Sequence, residues 1–410
     1  MRISLLLDRE PFGRIVSETL RDYWGARTGK AHHVEWHNHN PGARYFQRHS
    51  LQAWPGNIYL NFFAVSFAPE QAFAPLRQEY MRSVSLWRRW PQKFYVDVAL
   101  SPRGRNRFSQ CALAVWPGVY DAHDCVILGG NRRLRLLQPA RRTTTVVLKK
   151  GFSCHHINED VRLRLEAGPA FDCAPRIVGH SLAQGWYEEE LVEGTPVNRL
   201  APALSQMAIK AGHELLATQL VCPSLREQPV GTHVESIRLR IETVLGSVVE
   251  SADGKGRVGA LSEALRLIVA GLTGAGTTVA TAATHGDLQP ANLLWDGARV
   301  RIIDWENARH RLASYDMLFH AVGMTTRDDW SQVFIELLAT PAAKLPAYRL
   351  DWPGLDWSVQ GRKLTLAFFL LEELATVLED DFEPIYFQPG QAFWPRLREF
   401  EKALRALRQS

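Results

Sequence analysis

No run of 18 apolar residues occurs anywhere in this 410-residue chain. The most apolar segment, 364–378, carries Glu372 and Glu373 at its middle, so no membrane span is expected. Cysteine is scarce. The five residues are odd in number and contain no C-x-x-C pair, which excludes a disulfide scaffold and points to reduced thiols in a cytoplasm. With 29 glycines and 22 prolines, the chain has too little of either to be collagen-like or low-complexity. Excess charge is also small. A net charge of +5, mostly from arginine, is too mild to name a nucleic-acid partner, and no specific nucleic-acid binding is expected. The pattern G-x-x-x-x-G-K-[ST] is absent, which excludes a P-loop ATPase. The opening MRISLLLDRE has neither the long apolar region nor the small-residue cleavage site of a secretory leader, so a cytoplasmic location is expected.

What remains is ordinary globular composition, 46% hydrophobic and 22% charged, with length for two or three domains. Residues 1–122 read as a mixed α and β domain. Segment 13–23 and segment 69–81 have helical spacing, and 57–67 reads as an aromatic-rich strand. Segments 93–101 and 109–116 look like paired strands around the turn SPRGRNR. Residues 123–195 change character: strand, Gly-Gly turn, strand, the β-branched TTTVVLKKG, a helix from HINEDVRLRLEAG, then two more strands. Residues 196–410 are mostly helical, with three helical stretches near 201–219, 231–250 and 258–273 and the polar loop SADGKGRVG at 251–259.

The informative segment is THGDLQPANLLWDGARVRIIDWENA, residues 284–308. Phosphoryl transfer from ATP needs a group to take the nucleophile's proton, oxygen ligands for Mg²⁺ and cations for the phosphates. Asp287 and Asn292 are five apart with Pro290 between them, the Asp–Asn spacing of a kinase catalytic loop. LLWDGARVRII reads as a hairpin turning at Asp296-Gly297, which returns Asp304 to the mouth that holds Asn292. Asp and Asn oxygens suit hard Mg²⁺.

These residues resemble the aminoglycoside phosphotransferase and choline kinase-like family, relatives of protein kinases. His285, Gly286, Asp287, Asn292, Ile303, Asp304, Trp305 and Glu306 match its H-G-D-x-x-x-x-N and I-D-W-E positions, and Tyr315-Asp316 matches its later Y-D. The resemblance covers roughly 125–400. It implies an α+β, two-lobed protein-kinase-like fold, here with an added N-terminal α+β domain. It implies Asp287 as catalytic base, Asn292 and Asp304 as Mg²⁺ ligands, and His285 as a structural residue. Gly286 stands where many protein kinases have an activation-loop-sensing Arg, which fits a constitutive small-molecule kinase.

The same resemblance assigns the upstream lobe. VVLKK supplies the phosphate-anchoring lysine. Alternation puts Val147 and Lys149 on one strand face, and the smaller Val147 suits adenine, which selects Lys149. Lys150 then points outward as a solvated lysine. Glu159 on the next helix is the expected partner of Lys149, with Glu166 as an alternative. Gly129, Gly130 and Asn131 sit where a phosphate-covering loop belongs, although a Gly pair equally makes a plain turn. Glu190, Leu191 and Val192 match the family's hinge, whose backbone would bind adenine.

Other features do not decide. His32, His33, His37 and His39 cluster, but nearby ligands to complete a Zn²⁺ site are missing and an exposed polar strand explains them as well. Residues 82–107 hold seven basic residues against one acid, with Trp87, Trp90, Phe94 and Tyr95 interleaved. That pattern suits a protein or anionic partner, or a solvated face above core aromatics. Glu372, Glu379 and Glu383 share one helix face, and with Glu306 they are candidate contacts for an acceptor substrate. The expected function is an ATP- and Mg-dependent phosphotransferase for a hydroxyl of a small molecule or glycan. The competing expectation is an idle pseudokinase that scaffolds a complex through residues 1–122.

Overall fold

The computed structural model describes residues 2–65, 67–81, 86–119, 124–247, 252–274, 276–324, 327–340 and 352–410. They form two compact units. The first comprises Met1–Asn158, Pro175–Glu193 and Ile385–Phe387, and the second comprises Glu159–Ala174, Gly194–Pro384 and Gln388–Ser410.

The first unit is built on one antiparallel sheet. Its strands are β1 (His33–His37), β2 (Gln52–Asn57), β3 (Phe62–Ala64), β4 (Cys111–Trp116), β5 (Val126–Gly129), β6 (Arg133–Gln138), β7 (Thr143–Leu148), β8 (Ile177–Ser181) and β9 (Trp186–Glu190). Their order is β1-β4-β2-β3-β5-β6-β7-β9-β8. The segments on either side of the expected division at 122/123 belong to the same unit. Phe63 pairs with Ile127 and Ala64 with Val126, so the N-terminal strands extend the sheet of the next segment. Two helices precede them, α1 (Ile3–Arg9) and α2 (Phe12–Thr28). In α2, Ile15, Val16, Thr19, Leu20, Tyr23 and Trp24 are buried, a stripe at helical spacing. Gly29 ends the helix in the left-handed region, its N–H donating to the Gly25 carbonyl.

Three local expectations fail for identifiable reasons. All of segment 93–101 but Ser101 lies in helix Leu86–Leu100. There Val96, Ala99 and Leu100 are buried while Phe94 is exposed, so a three-and-four period overrides β propensity. The strand expected over 57–67 breaks because Asn57 Oδ1 accepts from the Tyr59 and Leu60 N–H groups at 3.1 and 2.9 Å. The loop expected over 251–259 belongs, from Ala252, to helix Ala252–Leu272, because Val258, Leu261 and Leu265 bury one face. In the basic stretch, Arg105 is buried and donates to the Ala68 carbonyl at 2.6 Å, while Trp87, Trp90 and Phe94 are exposed rather than in the core.

The second unit is helical, with two three-stranded sheets. One contains β10 (Thr195–Pro196), β13 (Leu293–Trp295) and β14 (Val300–Ile302). The other contains β11 (Arg226–Pro229), β12 (Thr278–Thr284) and β15 (Arg309–Leu312). The central helix, Val359–Asp381, is buried from Thr365 to Leu378. It packs on helices Val230–Ser247, Ala252–Leu272 and Phe393–Gln409. Each buried Leu or Phe on it is worth about 1.5–3 kcal/mol over exposure.

That burial corrects the acceptor-site reading of the C-terminal acids. Glu372 lies 2.8 Å from His233 Nε2 and accepts from the Leu312 N–H at 2.9 Å. Burial opposes its charge, yet His233 holds its carboxyl below the ordinary value. Glu379 pairs with Arg240 at 2.7 Å and Arg309 at 2.8 Å; despite burial, Arg240 and Arg309 push its carboxyl far down. Glu383 is buried as well. The expected common helix face does not form: Glu372 points into the protein, Glu379 is half-buried near the helix end, and Glu383 lies beyond the helix, past its C-cap Phe382.

Glu373 is the exception in charge. It accepts from the Tyr315 hydroxyl, and burial pushes its carboxyl up to about 7. A carboxyl raised in the fold stabilises it fully below the unfolded value and loses that contribution as pH climbs toward 7. Glu373→Gln keeps the acceptor without the charge. The variant's unfolding free energy should therefore gain on the wild type's between pH 4.5 and 7 and hold that gain above, by up to about 3 kcal/mol. An equal difference at pH 4 and pH 8 would refute the assignment.

Candidate active site

The catalytic segment begins where β12 ends. Asp316, fully buried, accepts from the His285 N–H at 2.7 Å and the Gly286 N–H at 2.8 Å, one on each carboxylate oxygen. Gly286 has φ +86°, and a Cβ there would lie 2.2 Å from the Asn307 carbonyl oxygen. A side chain is therefore excluded twice, by conformation and by space. The Arg311 guanidinium fills the room beside Gly286 and donates to that same carbonyl. His285 accepts from the Asp287 N–H through Nδ1 at 3.2 Å and donates from Nε2 to the Ile303 carbonyl at 2.9 Å. This pattern assigns one neutral tautomer. Burial, the largest influence on the ring, lowers its pKa and agrees with that assignment. The ring packs edge-on to Trp305 at 4.6 Å.

Asp287 is held from two sides. Gln289 Nε2 donates to both carboxylate oxygens at 3.2 and 3.0 Å, and Asn292 Nδ2 donates at 3.0 Å. Asn292 Nδ2 also donates to the Asp287 carbonyl at 2.9 Å, which leaves Asn292 Oδ1 on the far side of the amide. β13 and β14 form the expected hairpin, with Leu293 opposite Ile302. At its turn Asp296 Oδ1 accepts from the Ala298 and Arg299 N–H groups. The Ile303 N–H donates to the Asn292 carbonyl at 2.9 Å, so hairpin and loop are stitched together just before Asp304. Asp304 sits at φ +69°, a strained position for a residue with a side chain. Asp287 has its pKa raised well above the ordinary range, first by burial and then by the charges of Asp304 and Glu306.

These acids fit a divalent cation. Asn292 and Asp304 offer hard oxygens, and the mutual repulsion that raises Asp287 is what a positive ion relieves. Among the described residues no group of three or more His, Cys, Asp or Glu is placed to hold a metal. Mg²⁺ is commonly held by one or two protein oxygens completed by phosphate and water, so Asn292 and Asp304 would be enough to hold it. Of the histidine cluster, His32 bonds the Pro117 carbonyl and Thr28 hydroxyl at 2.9 and 2.8 Å.

In the first unit, Lys149 is buried and Lys150 exposed. Lys150 pairs with Asp22 at 2.8 Å. Lys149 donates to Glu10 and to the Gly130 carbonyl at 3.0 Å. Glu159 and Glu166, the two acids weighed as its partner, both hold Arg162, at 2.6 and 2.8 Å. The glycines of the presumptive phosphate loop answer to packing. A Cβ on Gly129 would lie 2.9 Å from Leu6, and one on Gly130 would lie 2.7 Å from the Arg133 carbonyl. Asn131 accepts from Arg9 at 3.3 Å. Of the expected hinge, the Glu190 N–H donates to Arg176 and the Leu191 N–H to Arg142, at 2.9 and 2.8 Å. Those two amides are therefore engaged inside the unit and are not available to adenine; Val192 follows directly after them.

Four residues escaped the sequence reading of the site. Asp316 was visible only as part of a Y-D match, without a role. Gln289 and Arg311 carry no spacing signal, and Glu10 lies 139 positions from the lysine it pairs with.

Residues 174–356 match the family described as phosphotransferase enzyme family, APH. No curated protein matches the chain. Among solved structures, a choline/ethanolamine kinase family protein from Mesorhizobium loti aligns at 15% identity and TM-score 0.43, covering 78% of this chain and 99% of that one. A thermostable mutant of the aminoglycoside phosphotransferase APH(4)-Ia aligns at 13% and TM-score 0.46, covering 70% and 94%. A choline kinase from Cryptosporidium parvum aligns at 13% and TM-score 0.44, covering 70% and 89%. With TM-scores below 0.5, these three carry no argument about substrate or mechanism. Over the residues that hold the catalytic loop and its hairpin, the chain is similar to the phosphotransferase enzyme family.

Proposed function

We propose that this protein is an ATP- and Mg-dependent phosphotransferase acting on a hydroxyl of a small molecule or glycan. The observation that carries the reading is the held Asp287 carboxylate beside Asp304, on a loop whose backbone is fixed by Asp316. The match over 174–356 supports it.

In this reading Asp287 takes the proton of the acceptor hydroxyl as its oxygen attacks the γ-phosphorus of ATP; the bond to the β-phosphate oxygen breaks and ADP leaves. Gln289 and Asn292 orient the carboxylate through the bonds described above. Asn292 and Asp304 would hold Mg²⁺, which supplies neutralisation of phosphate charge. Lys149 is the cation for the phosphates. The intact Asp287, Asn292, Asp304 and Lys149 set argues against an idle copy. With Glu372 and Glu379 holding His233, Arg240 and Arg309, the acids of the central helix give no ground for a cationic acceptor.

Three measurements test the reading. Asp287→Asn should bind Mg·ATP as the wild type does and release ADP about 10²–10⁴-fold more slowly against a panel of amino-alcohol, sugar and phospho-sugar acceptors. Undiminished turnover would sink the base assignment. Asp304→Ala should abolish the melting shift that Mg·ATP confers, whereas Asn292→Ala, losing a neutral ligand, should only reduce it. Full shifts in both variants would refute the metal site. Asp316→Asn should slow turnover with the same loop intact in sequence, because one buried N–H then faces an NH₂ group; the protein should also lose about 1–3 kcal/mol of stability in urea unfolding.

A further inference from the structure

We infer that Glu10, from the elbow between α1 and α2, is the positioning residue for Lys149, so that the N-terminal segment fixes the phosphate-anchoring cation. This rests on the phosphotransferase reading above.

The elbow is rigid by its own bonds. The Glu10 N–H donates to the Leu6 carbonyl at 2.9 Å, Pro11 follows, and the Phe12 N–H donates back to the Glu10 carbonyl at 2.6 Å. Its side chain and that of Lys149 are both fully buried and paired. The rings of Phe12 and Phe152 stand 5.6 and 4.8 Å from the ammonium. Lys149 is fixed at its other end by its own N–H, which donates to the Arg132 carbonyl at 2.9 Å.

The rest of α1 seats on the same elements. Ile3 and Leu6 lie against Gly129, and Arg9 donates to Asn131. Ile3, Leu6, Arg9 and Glu10 thus meet the Gly129–Gly130–Asn131 turn and Lys149 from one helix and its cap.

A buried ion pair is poor evidence for stability, since apolar residues of similar volume often do as well. Its use here is geometric. A lysine ammonium on four methylenes has many rotamers and favours water. Among phenyl rings it keeps one place only while a carboxylate and the Gly130 carbonyl hold it. The acid paired with the phosphate cation therefore comes from ahead of the sheet.

The test measures Mg·ATP turnover as ADP release, with an acceptor from the panel or, lacking one, with water. Glu10→Gln should lower kcat about 10–100-fold, since a misplaced cation disorients the transferring phosphate. Its KM for Mg·ATP should stay within about threefold, which a loss of fold would not produce. Glu10→Asp, with the charge one methylene short, should lose only about threefold. In a Lys149→Met background, adding Glu10→Gln should cost no more than about twofold, because the residue acts through that lysine. Losses that multiply, or wild-type kcat in Glu10→Gln beside a slow Lys149→Met, overturn the proposal alone. Wild-type kcat in Lys149→Met overturns the reading of Lys149 itself and the proposal with it. Should Glu10→Gln fail to fold by circular dichroism, Glu10→Asp decides: reduced kcat at unchanged KM supports the proposal, and wild-type kcat overturns it.

Discussion

The loop at 285–292 depends on one carboxylate. Asp316 takes both the His285 and Gly286 amides, and without it two buried N–H groups would have no acceptor at the point where β12 ends. A single pair of charge-assisted bonds fixes the chain direction there. That direction forces Gly286 to φ +86° and against the Asn307 carbonyl. It also aims the His285 ring at Ile303, which ties the loop to the hairpin that presents Asp304. Each later feature of the site inherits its placement from this contact.

The two units use opposite strategies for holding charge. The second buries Asp287 and sets further acids, Asp304 and Glu306, near it, which together hold its carboxyl high. The first gives Lys149 a carboxylate from its own chain and removes both from water. One place gathers negative charge, and the other already contains its counterion. The sheet explains how Glu10 reaches that place. Because β3 pairs with β5, residues 1–122 are part of the same unit as β6 and β7, and α1 lies over the turn between β5 and β6.

Legibility followed sequence distance and fixed spacing. The hairpin with its Asp296-Gly297 turn, the Asp287–Asn292 loop and the outward Lys150 could be read because each is a local pattern. The Lys149–Glu10 pair could not, since no periodicity links residues 139 apart. Segment 93–101 misled because its alternation coincides with a helical stripe through Val96, Ala99 and Leu100, and only burial tells the two apart. The backbone directions of the expected hinge were illegible for another reason. A matching strand end says nothing about where its amides point, and those of Glu190 and Leu191 face neighbouring backbone.

The acids of the central helix show how an apparent substrate surface becomes a foundation. Glu372 takes the Leu312 N–H and Glu379 takes Arg309, so both ends of β15 are bound to the helix. β15 in turn pairs with β12, Arg309 opposite Thr284, and the Thr284 hydroxyl donates to the Arg309 carbonyl at 3.0 Å. Thr284 immediately precedes His285. On the other side, Glu373 takes the hydroxyl of Tyr315, the neighbour of Asp316. The buried carboxylates thus reach the catalytic loop by two routes, one through β15 and β12 and one through Tyr315. Apolar side chains alone could bury this helix, but they could not set the strand register or the azimuth of Asp316. Polar groups in a dry interior accept only a narrow range of partner positions, and the loop's precision is drawn from that narrowness.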